Sequence, residues 1–205
     1  MPQRSDWIAA FVADLSRATI GSTTNQYSVS DPELDREGGA AIRTANLIAY
    51  LERRQRPRLM LVGEAPSYRG CRFSGLAFTS ERSLPADRWS SRKPAGWQEP
   101  SATIVHEALD ELGVEDQTLL WNACPTHPPG PSSLSNRPPT EKELAEGIVW
   151  LRRLLDLAQP VLVVAVGQLA SRSLPGAIAL RHPSHGGKPK FRRGLADLLT
   201  AASQT

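Results

Sequence analysis

The sequence predicts an α/β fold, a three-layer α/β/α sandwich around a central four-stranded parallel sheet. Short apolar runs alternate with amphipathic helical patterns, and this alternation is typical of a parallel sheet covered by helices on both faces. The chain has 205 residues, of which 40% are hydrophobic and 22% charged, a composition that suits one globular domain. We therefore expect residues 1–205 to form a single domain, with an N-terminal helical segment over 1–56 and a core over 57–205.

The predicted strands are short apolar runs, each followed by polar or loop-forming residues. Strands of a parallel sheet are buried on both faces, so they form nearly continuous apolar runs rather than alternating ones. Their length is too short for a helix of ordinary size. The runs are Leu59–Val62, Thr118–Trp121, Pro160–Val166 and Ala177–Leu180.

Helical periodicity fills most of the remaining chain. Apolar residues recur at three- and four-residue spacing, which marks one face of a helix. One pattern opens with Ser101 as a predicted N-cap, and another with the capping-box sequence from Thr140 to Glu143. Two long loops, Ser67–Pro100 and Pro125–Pro139, separate the elements. The predicted helices are Ile42–Arg54, Ser101–Leu112, Thr140–Leu157, Gly167–Leu174 and Phe191–Ala202.

The composition argues against several classes of protein. No run of about 18 or more apolar residues is present, so the sequence predicts no membrane partner. The N-terminus lacks the basic start, apolar stretch and cleavage site of a signal peptide, and we expect a cytoplasmic protein. Cys71 and Cys124 are too few for a disulfide framework or a four-thiolate iron–sulfur cluster, and we expect both to be buried. The sequence predicts no metal ion and no cofactor.

The basic residues are unevenly distributed, although the net charge is only +3. The segment from Arg181 to Arg193 carries five basic residues and no acidic one. A basic stripe on a modestly charged protein suits contact with phosphate groups. A second basic group, from Arg53 to Arg58, is interpreted as a solvated surface.

Side chains suited to catalysis or ligand binding follow the predicted strands. Glu64 follows the first strand, Asn122 ends the second, His182 follows the fourth, and Phe78 lies in the loop after the first. Taken singly, each has an ordinary structural explanation: a capping or paired carboxylate, a turn amide, a loop histidine and a core aromatic ring. Because ligands bind at the carboxyl ends of parallel strands, the combination predicts that all four side chains meet in one crevice.

Three motifs in this order resemble those of the uracil-DNA glycosylase superfamily. The first is a Gly-x-x-Pro loop followed by Gly-Leu-x-Phe, the second an apolar strand that ends in asparagine, and the third His-Pro-Ser. They stand at Gly63–Pro66, Gly75–Phe78, Leu119–Asn122 and His182–Ser184. The resemblance spans Leu59 to Arg193, about two-thirds of the chain, and residues 1–56 contribute little to it. It implies that residues 57–205 form the catalytic core of such an enzyme.

The resemblance implies excision of uracil from DNA by base flipping and hydrolysis of the N-glycosidic bond, which leaves an abasic site. Glu64 and His182 are the predicted catalytic residues: Glu64 orients water and stabilises the positive sugar, and His182 donates to the leaving base. We expect a monomer whose partner is DNA containing uracil. The predicted base-binding residues are Gly63, Ala65, Ser67, Tyr68, Phe78 and Asn122. The predicted DNA-binding residues are Ser184, His185, Gly186, Gly187, Lys188, Lys190, Phe191 and Arg192.

The sequence also departs from the superfamily's patterns. Ala65 stands where the best-known family has a catalytic aspartate, and the carboxylate is Glu64, as in a branch that carries an iron–sulfur cluster. Ser67 stands where a tyrosine blocks the methyl group of thymine, with Tyr68 beside it. Gly186 stands where a leucine wedge fills the vacated base stack. The candidates for a substitute wedge are Lys188, Lys190 and Phe191.

Three alternative functions remain open at the level of the sequence. The first is the same chemistry on another deaminated base, hypoxanthine or xanthine, because the amide of Asn122 can adapt to a different base edge. The second is a protein that binds uracil or abasic DNA without turnover, which the missing aspartate at Ala65 keeps open. A nucleotide-binding domain of flavodoxin type is more remote, because no glycine-rich phosphate motif follows the first strand.

Overall fold

A four-stranded parallel sheet runs through the centre of the protein, in a computed structural model that describes residues 6–202. The strands are β1 (Leu59–Gly63), β2 (Thr118–Asn122), β3 (Leu162–Val166) and β4 (Ile178–Leu180), in the order β2-β1-β3-β4. Helices cover both faces of this sheet, so the predicted three-layer α/β/α sandwich is confirmed.

Seven α-helices surround the sheet within the described residues. The capping box predicted for the fifth is confirmed, because the amide of Glu143 donates to Thr140 Oγ1 and the amide of Thr140 donates to Glu143 Oε2. The helices are α1 (Asp6–Arg17), α2 (Gly39–Arg53), α3 (Cys71–Ser74), α4 (Pro100–Glu111), α5 (Glu141–Ala158), α6 (Gln168–Ser173) and α7 (Lys188–Ala202). Short 3-10 turns lie at Glu81–Ser83, Ala86–Arg88 and Glu115–Gln117.

Several helix starts differ from the sequence-based prediction, and α2 begins at Gly39 rather than at Ile42. Helix α4 begins at Pro100 with Glu99 at the N-cap, so Ser101 lies inside the first turn and is not the cap. Proline is well suited to the first helical position, where its missing N–H is not needed. Helix α7 begins at Lys188 rather than at Phe191. The basic residues that follow Lys188 therefore lie on a helix, not in a loop.

The sheet and the N-terminal helix share one hydrophobic core. Every residue of β1 and β2 is buried, as the continuous apolar runs predicted. Helix α1 adds Phe11 and Leu15, neither of which is exposed, and the ring of Phe11 lies 5.9 Å from that of Trp121 on β2. The first helix is thus packed against the sheet, although the sequence motifs begin much later.

A buried ionic cluster joins α2 to the loop that follows β1. Asp35 Oδ2 lies 3.1 Å from Arg43 Nη2 and 3.1 Å from Arg72 Nη2. All three side chains are almost completely buried. Burial and the neighbouring Arg72 lower the pKa of Arg43 to about 10. Each charge has a partner, so the cluster fixes the position of α3, which carries Arg72 and packs against α2.

No helix among residues 6–202 is long and apolar enough to cross a membrane.

Candidate active site

A cleft of about 460 Å³ opens at the carboxyl ends of the strands. The residues Gly63 and Asn122 are register partners at the ends of β1 and β2. The chain leaves β1 toward β2 and then returns to β3 on the other side, so the strand order reverses beside β1, where open α/β sheets bind ligands. The cleft is lined by Glu64, Ala65, Ser67, Cys71, Phe78, Glu99, Asn122, Asn136, Val166, Gly167, Gln168, Leu169, Arg181, His182, Ser184 and His185.

Gly63 makes room for two of the predicted base-binding side chains. A Cβ atom at this position would lie 2.5 Å from Phe78 Cζ and 2.9 Å from Asn122 Oδ1. Gly63 therefore lets the side chains of Phe78 and Asn122 lie against the backbone at the end of β1. The ring of Phe78 is 6% exposed, and its backbone has a φ of 49°, a left-handed conformation that is strained for a bulky residue. Strained residues of this kind cluster at functional sites.

The carboxylate of Glu64, the residue directly after β1, is half-buried in the cleft and has no side-chain hydrogen bond to any of residues 6–202. Burial raises the pKa of Glu64, and no neighbouring cation offsets this effect. A buried polar group without a partner is uncommon in a folded protein, because desolvation is unfavourable. The unused capacity of this carboxylate is available to a ligand.

The ring of His182 is oriented by Ser184. The amide N–H of Ser184 donates to His182 Nδ1 at 3.2 Å, and Ser184 Oγ lies 2.7 Å from the same nitrogen. Since an amide can only donate, Nδ1 is the acceptor and the proton of the neutral ring resides on Nε2. Burial lowers the pKa of His182, which favours the neutral ring. His182 therefore presents an N–H donor to the cleft, 6.3 Å from Phe78 between ring centroids.

Two of the remaining predicted base-binding residues line the cleft and one does not. Ala65 and Ser67 line it, and Ser67 Oγ accepts a hydrogen bond from the amide of Arg69 at 3.0 Å. Tyr68 is directed away: its ring packs edge-on against Trp97 at 5.9 Å, and its hydroxyl accepts from Arg69 Nε at 2.8 Å. These contacts hold the ring of Tyr68 away from the side chains that line the cleft, and its predicted contact with the base stays a prediction.

The turn after His182 holds the next four predicted DNA-binding residues. Ser184 and His185 line the cleft, and His185 Nδ1 lies 3.0 Å from Ser184 Oγ. Gly186 is exposed and has a φ of 73°, which favours glycine. Gly187 is buried, and a Cβ atom there would collide with the carbonyl oxygen of His182. The second glycine thus closes the turn rather than leaving space for a phosphate.

The other predicted DNA-binding residues lie at the start of α7, where some side chains are exposed, some are paired and one is buried. Lys190 is exposed, whereas Lys188 and Arg192 both donate to Glu107 on α4, at 3.0 Å and 2.9 Å. Phe191 is 0% exposed and belongs to the hydrophobic core. The prediction that Phe191 contacts DNA or supplies the wedge is wrong, because the helix starts early and directs this ring inward.

Several cleft-lining residues were not among the sequence-based predictions. Glu99 reaches the cleft from the start of α4, and Arg181 precedes the catalytic histidine candidate. Arg181 belongs to the basic run and could have been added from the sequence. Glu99 gave no comparable signal, because its place depends on the path of the long loop before it. The other six are Cys71, Asn136, Val166, Gly167, Gln168 and Leu169.

A second cleft, of about 450 Å³, lies between α2 and α4 and is lined in part by Tyr50, Arg54 and His106. None of the residues that follow the strands lines it, so the strand-end cleft is the candidate active site. Cys71 and Cys124 are free and buried. Within residues 6–202, no three histidine, cysteine or acidic side chains are grouped as metal ligands.

Comparison with known proteins identifies the family. The model of the uracil DNA glycosylase superfamily matches residues 52–199, which is most of the chain. The crystal structure of wild-type Pedobacter heparinus SMUG2 superposes with a TM-score of 0.68 and 17% sequence identity, over 100% of both chains. At this identity the likeness shows the fold alone. No curated protein sequence matches the chain. The chain therefore belongs to the uracil DNA glycosylase superfamily and is a DNA glycosylase, a hydrolase of base excision repair.

Proposed function

We propose that the protein excises uracil from DNA by hydrolysis of the N-glycosidic bond and leaves an abasic site. A base within a duplex cannot reach a cleft of this kind, so the nucleotide must be flipped out of the stack, at a cost of a few kcal/mol. The ring of Phe78 would offset part of this cost by stacking on the flipped base, a contact worth about 1–3 kcal/mol. The basic run on the same side of the sheet would hold the flanking phosphates.

Base identity would be read by Asn122. Its side chain is 6% exposed and lacks a hydrogen-bond partner among residues 6–202. An amide can donate to O4 of uracil and accept from its N3–H. Cytosine presents the opposite pattern at both positions, so it would leave buried polar groups mispaired. The amide thus supports uracil rather than cytosine as the substrate.

Glu64 and His182 would each stabilise one of the two charges that develop in the reaction. Cleavage of the bond puts positive charge on the sugar and negative charge on the departing base. The Glu64 carboxylate can stabilise the first charge and orient water, and the Nε2–H of His182 can donate to O2 of the base. Preorganised donors of this kind are worth about 3–4 kcal/mol each in a water-poor site.

The observation that carries the proposal is the set of unused hydrogen-bonding groups in one cleft. Glu64 and Asn122 have no side-chain partners among the described residues, and His182 has its proton directed away from Ser184. An acceptor, a two-sided amide and a donor match the sugar, the base edge and the leaving oxygen of a deoxyuridine.

A panel of duplex oligonucleotides tests the proposal. Each would carry a single uracil, hypoxanthine, xanthine or thymine, and alkali would cleave the strand wherever a base has been released. Strand cleavage at uracil supports the proposal. A gel shift on uracil-containing DNA without cleavage would replace it with a binding protein that does not turn over.

A second candidate is excision of a deaminated purine. The wall formed by Ala65 and Ser67 is built from small side chains, and the cleft volume of about 460 Å³ leaves room for the larger ring system. Preferential cleavage at hypoxanthine or xanthine in the same panel would favour this candidate over uracil excision.

A further inference from the structure

A second carboxylate, that of Glu99, lines the same cleft as Glu64. Its main chain is held by Ser80, whose Oγ accepts from the Glu99 amide at 3.0 Å. Ser101 Oγ donates to Glu99 Oε1 at 2.7 Å, and Oε2 has no hydrogen-bond partner among residues 6–202. Gly70 faces this oxygen, and any side chain at Gly70 would collide with it. Glu99 is therefore held at the wall with one oxygen free. Burial raises the pKa of its carboxyl group, and the hydrogen bond from Ser101 opposes this shift.

Glu99 lies on the side of Asn122 that is remote from His182. Cys71 borders the cleft beside Glu99, and it also borders a small cavity together with Asn122 and Pro125, just after β2. Cys71 directly follows Gly70, whose backbone lies against Glu99 Oε2, so Cys71 and Glu99 are neighbours on this part of the wall. His182 enters the cleft from the opposite end of the sheet, after β4. The order along the wall is thus His182, Asn122, Cys71 and Glu99.

This order assigns a position on the base to each group. With O2 toward His182 and the N3–O4 edge toward Asn122, the next position around a pyrimidine ring is C5. The C5 substituent would therefore face Cys71 and Glu99. The other nearby side chains do not fill this space with bulk, because Ser67 is small and Tyr68 is packed on Trp97.

We propose that Glu99 is a specificity-determining residue, which rejects an apolar group at C5 of the base by charge rather than by bulk. The inference rests on the proposed uracil excision. A methyl group pressed against Oε2 would strip water from a carboxylate and offer no hydrogen bond in return. A hydroxymethyl group of nearly the same size could donate to Oε2 instead. A charged wall thus separates two substituents that a steric wall would treat alike.

The test compares thymine with 5-hydroxymethyluracil, each relative to uracil, in duplexes with a single modified base. Excision rates are measured for the wild type, Glu99→Gln and Glu99→Leu. Equilibrium binding is measured for the same set in a Glu64→Gln background, where turnover does not interfere. We expect Glu99→Leu to raise the thymine-to-uracil ratio by about 10- to 100-fold, the range that one methyl group commands in an apolar pocket. The 5-hydroxymethyluracil-to-thymine ratio should fall at the same time.

Glu99→Gln and two further variants make the outcome decisive. Glu99→Gln keeps an acceptor for Ser101 and removes only the charge. It should shift each ratio in the direction expected for Glu99→Leu, but by less. It also provides the test if Glu99→Leu does not fold. Gly70→Ala should displace the carboxylate and reproduce the shift without altering the charge. Glu52→Gln, on the exposed face of α2, should leave every ratio unchanged.

The results separate the inference from the proposed function. If the enzyme excises uracil and no Glu99 variant changes either ratio, the inference about Glu99 is overturned and the proposed function is not. A wild type that leaves uracil in place but shows binding ratios governed by Glu99 would overturn the proposed function and support the charged wall.

Discussion

Two glutamates, Glu64 and Glu143, show how differently this fold treats the same side chain. Glu143 is 1% exposed and accepts from both terminal nitrogens of Arg137 at 2.7 Å, from the amide of Thr140 and from Ser22. These contacts, led by Arg137, hold the pKa of Glu143 well below its usual range. Glu64 has no such partners, and burial raises its pKa. The saturated carboxylate holds segments of the chain together, and the unsaturated one is free for chemistry.

The same contrast separates the buried Asp35 cluster from the cleft. Asp35 forms ion pairs with two buried arginines, so its charge stabilises the fold. In the cleft, polar side chains keep hydrogen-bonding capacity that only a ligand can use. Burial alone therefore does not distinguish a functional group from a structural one, and the distinction depends on unpaired groups that line the cleft.

The largest effect is expected from Glu64→Gln. Removing the charge should lower the single-turnover rate of uracil excision by about 10²–10³-fold, the scale of one lost electrostatic stabiliser. Because Glu64 anchors no other side chain, the melting temperature should stay near that of the wild type. Rapid-quench kinetics and a thermal melt measure the two quantities. A Glu64→Gln enzyme with a normal rate would place catalysis on His182 and backbone donors instead.

Glu143→Ala should reverse that pattern. Loss of the carboxylate leaves Arg137 unpaired and removes the contacts to Ser22 and the helix cap, at a cost of about 3 kcal/mol in the free energy of unfolding. Since the folded pKa of Glu143 is depressed, its stabilisation is present above the unfolded pKa and is lost as the pH falls through the folded value. Urea melts at neutral and acidic pH should show the gap between the two proteins narrowing in acid.

The pH dependence of the rate should sharpen the assignment of Glu64. Catalysis needs the ionised carboxylate, so the rate should fall as the pH drops through the raised pKa of Glu64, at higher pH than for an exposed glutamate. Burial lowers the pKa of His182, which favours the neutral ring that donates from Nε2. A pH–rate profile of Glu64→Gln should lack this acid limb. Survival of the limb in that variant would assign it to another group.

The smallest effect concerns the basic helix α7. Lys190→Ala should reduce the slope of log affinity against log salt by about one, as expected for one lost phosphate contact. Lys188→Ala should reduce it by less, because Lys188 is paired with Glu107. Lys142→Ala is the matched control: this lysine is 79% exposed on α5, and its loss should leave the slope unchanged. Equal slopes for the Lys190 variant and this control would remove Lys190 from the DNA-facing surface.

The sequence predicted the sheet and the strand-end residues because both depend on local patterns. Buried parallel strands are continuous apolar runs, and parallel strands deliver their carboxyl ends to one edge, so Glu64, Asn122 and His182 were expected together. The cleft brings them together, while their roles stay a proposal.

What the sequence could not predict depends on how distant segments pack. Phe191 was predicted to be the first residue of the last helix, because the start of α7 has no cap signal. The helix begins three residues earlier, at Lys188, and the ring of Phe191 is buried in the core. Tyr68 was expected to contact the base, yet Trp97, in a distant part of the same loop, holds its ring. Glu99 and Asp35 gave no local signal, because their partners lie far along the chain or on other elements.

The left-handed backbone of Phe78 has a consequence for how the protein can change. An asparagine or glycine would adopt this conformation with less strain, so the ring is retained against a local preference of the main chain. Phe78 is also part of the hydrophobic core, and losing a buried aromatic ring costs about 3–5 kcal/mol, more than the roughly 1–3 kcal/mol that relief of the backbone strain would return. Packing therefore holds the ring over the cleft against the local backbone preference, and variants selected for thermal stability alone should keep it.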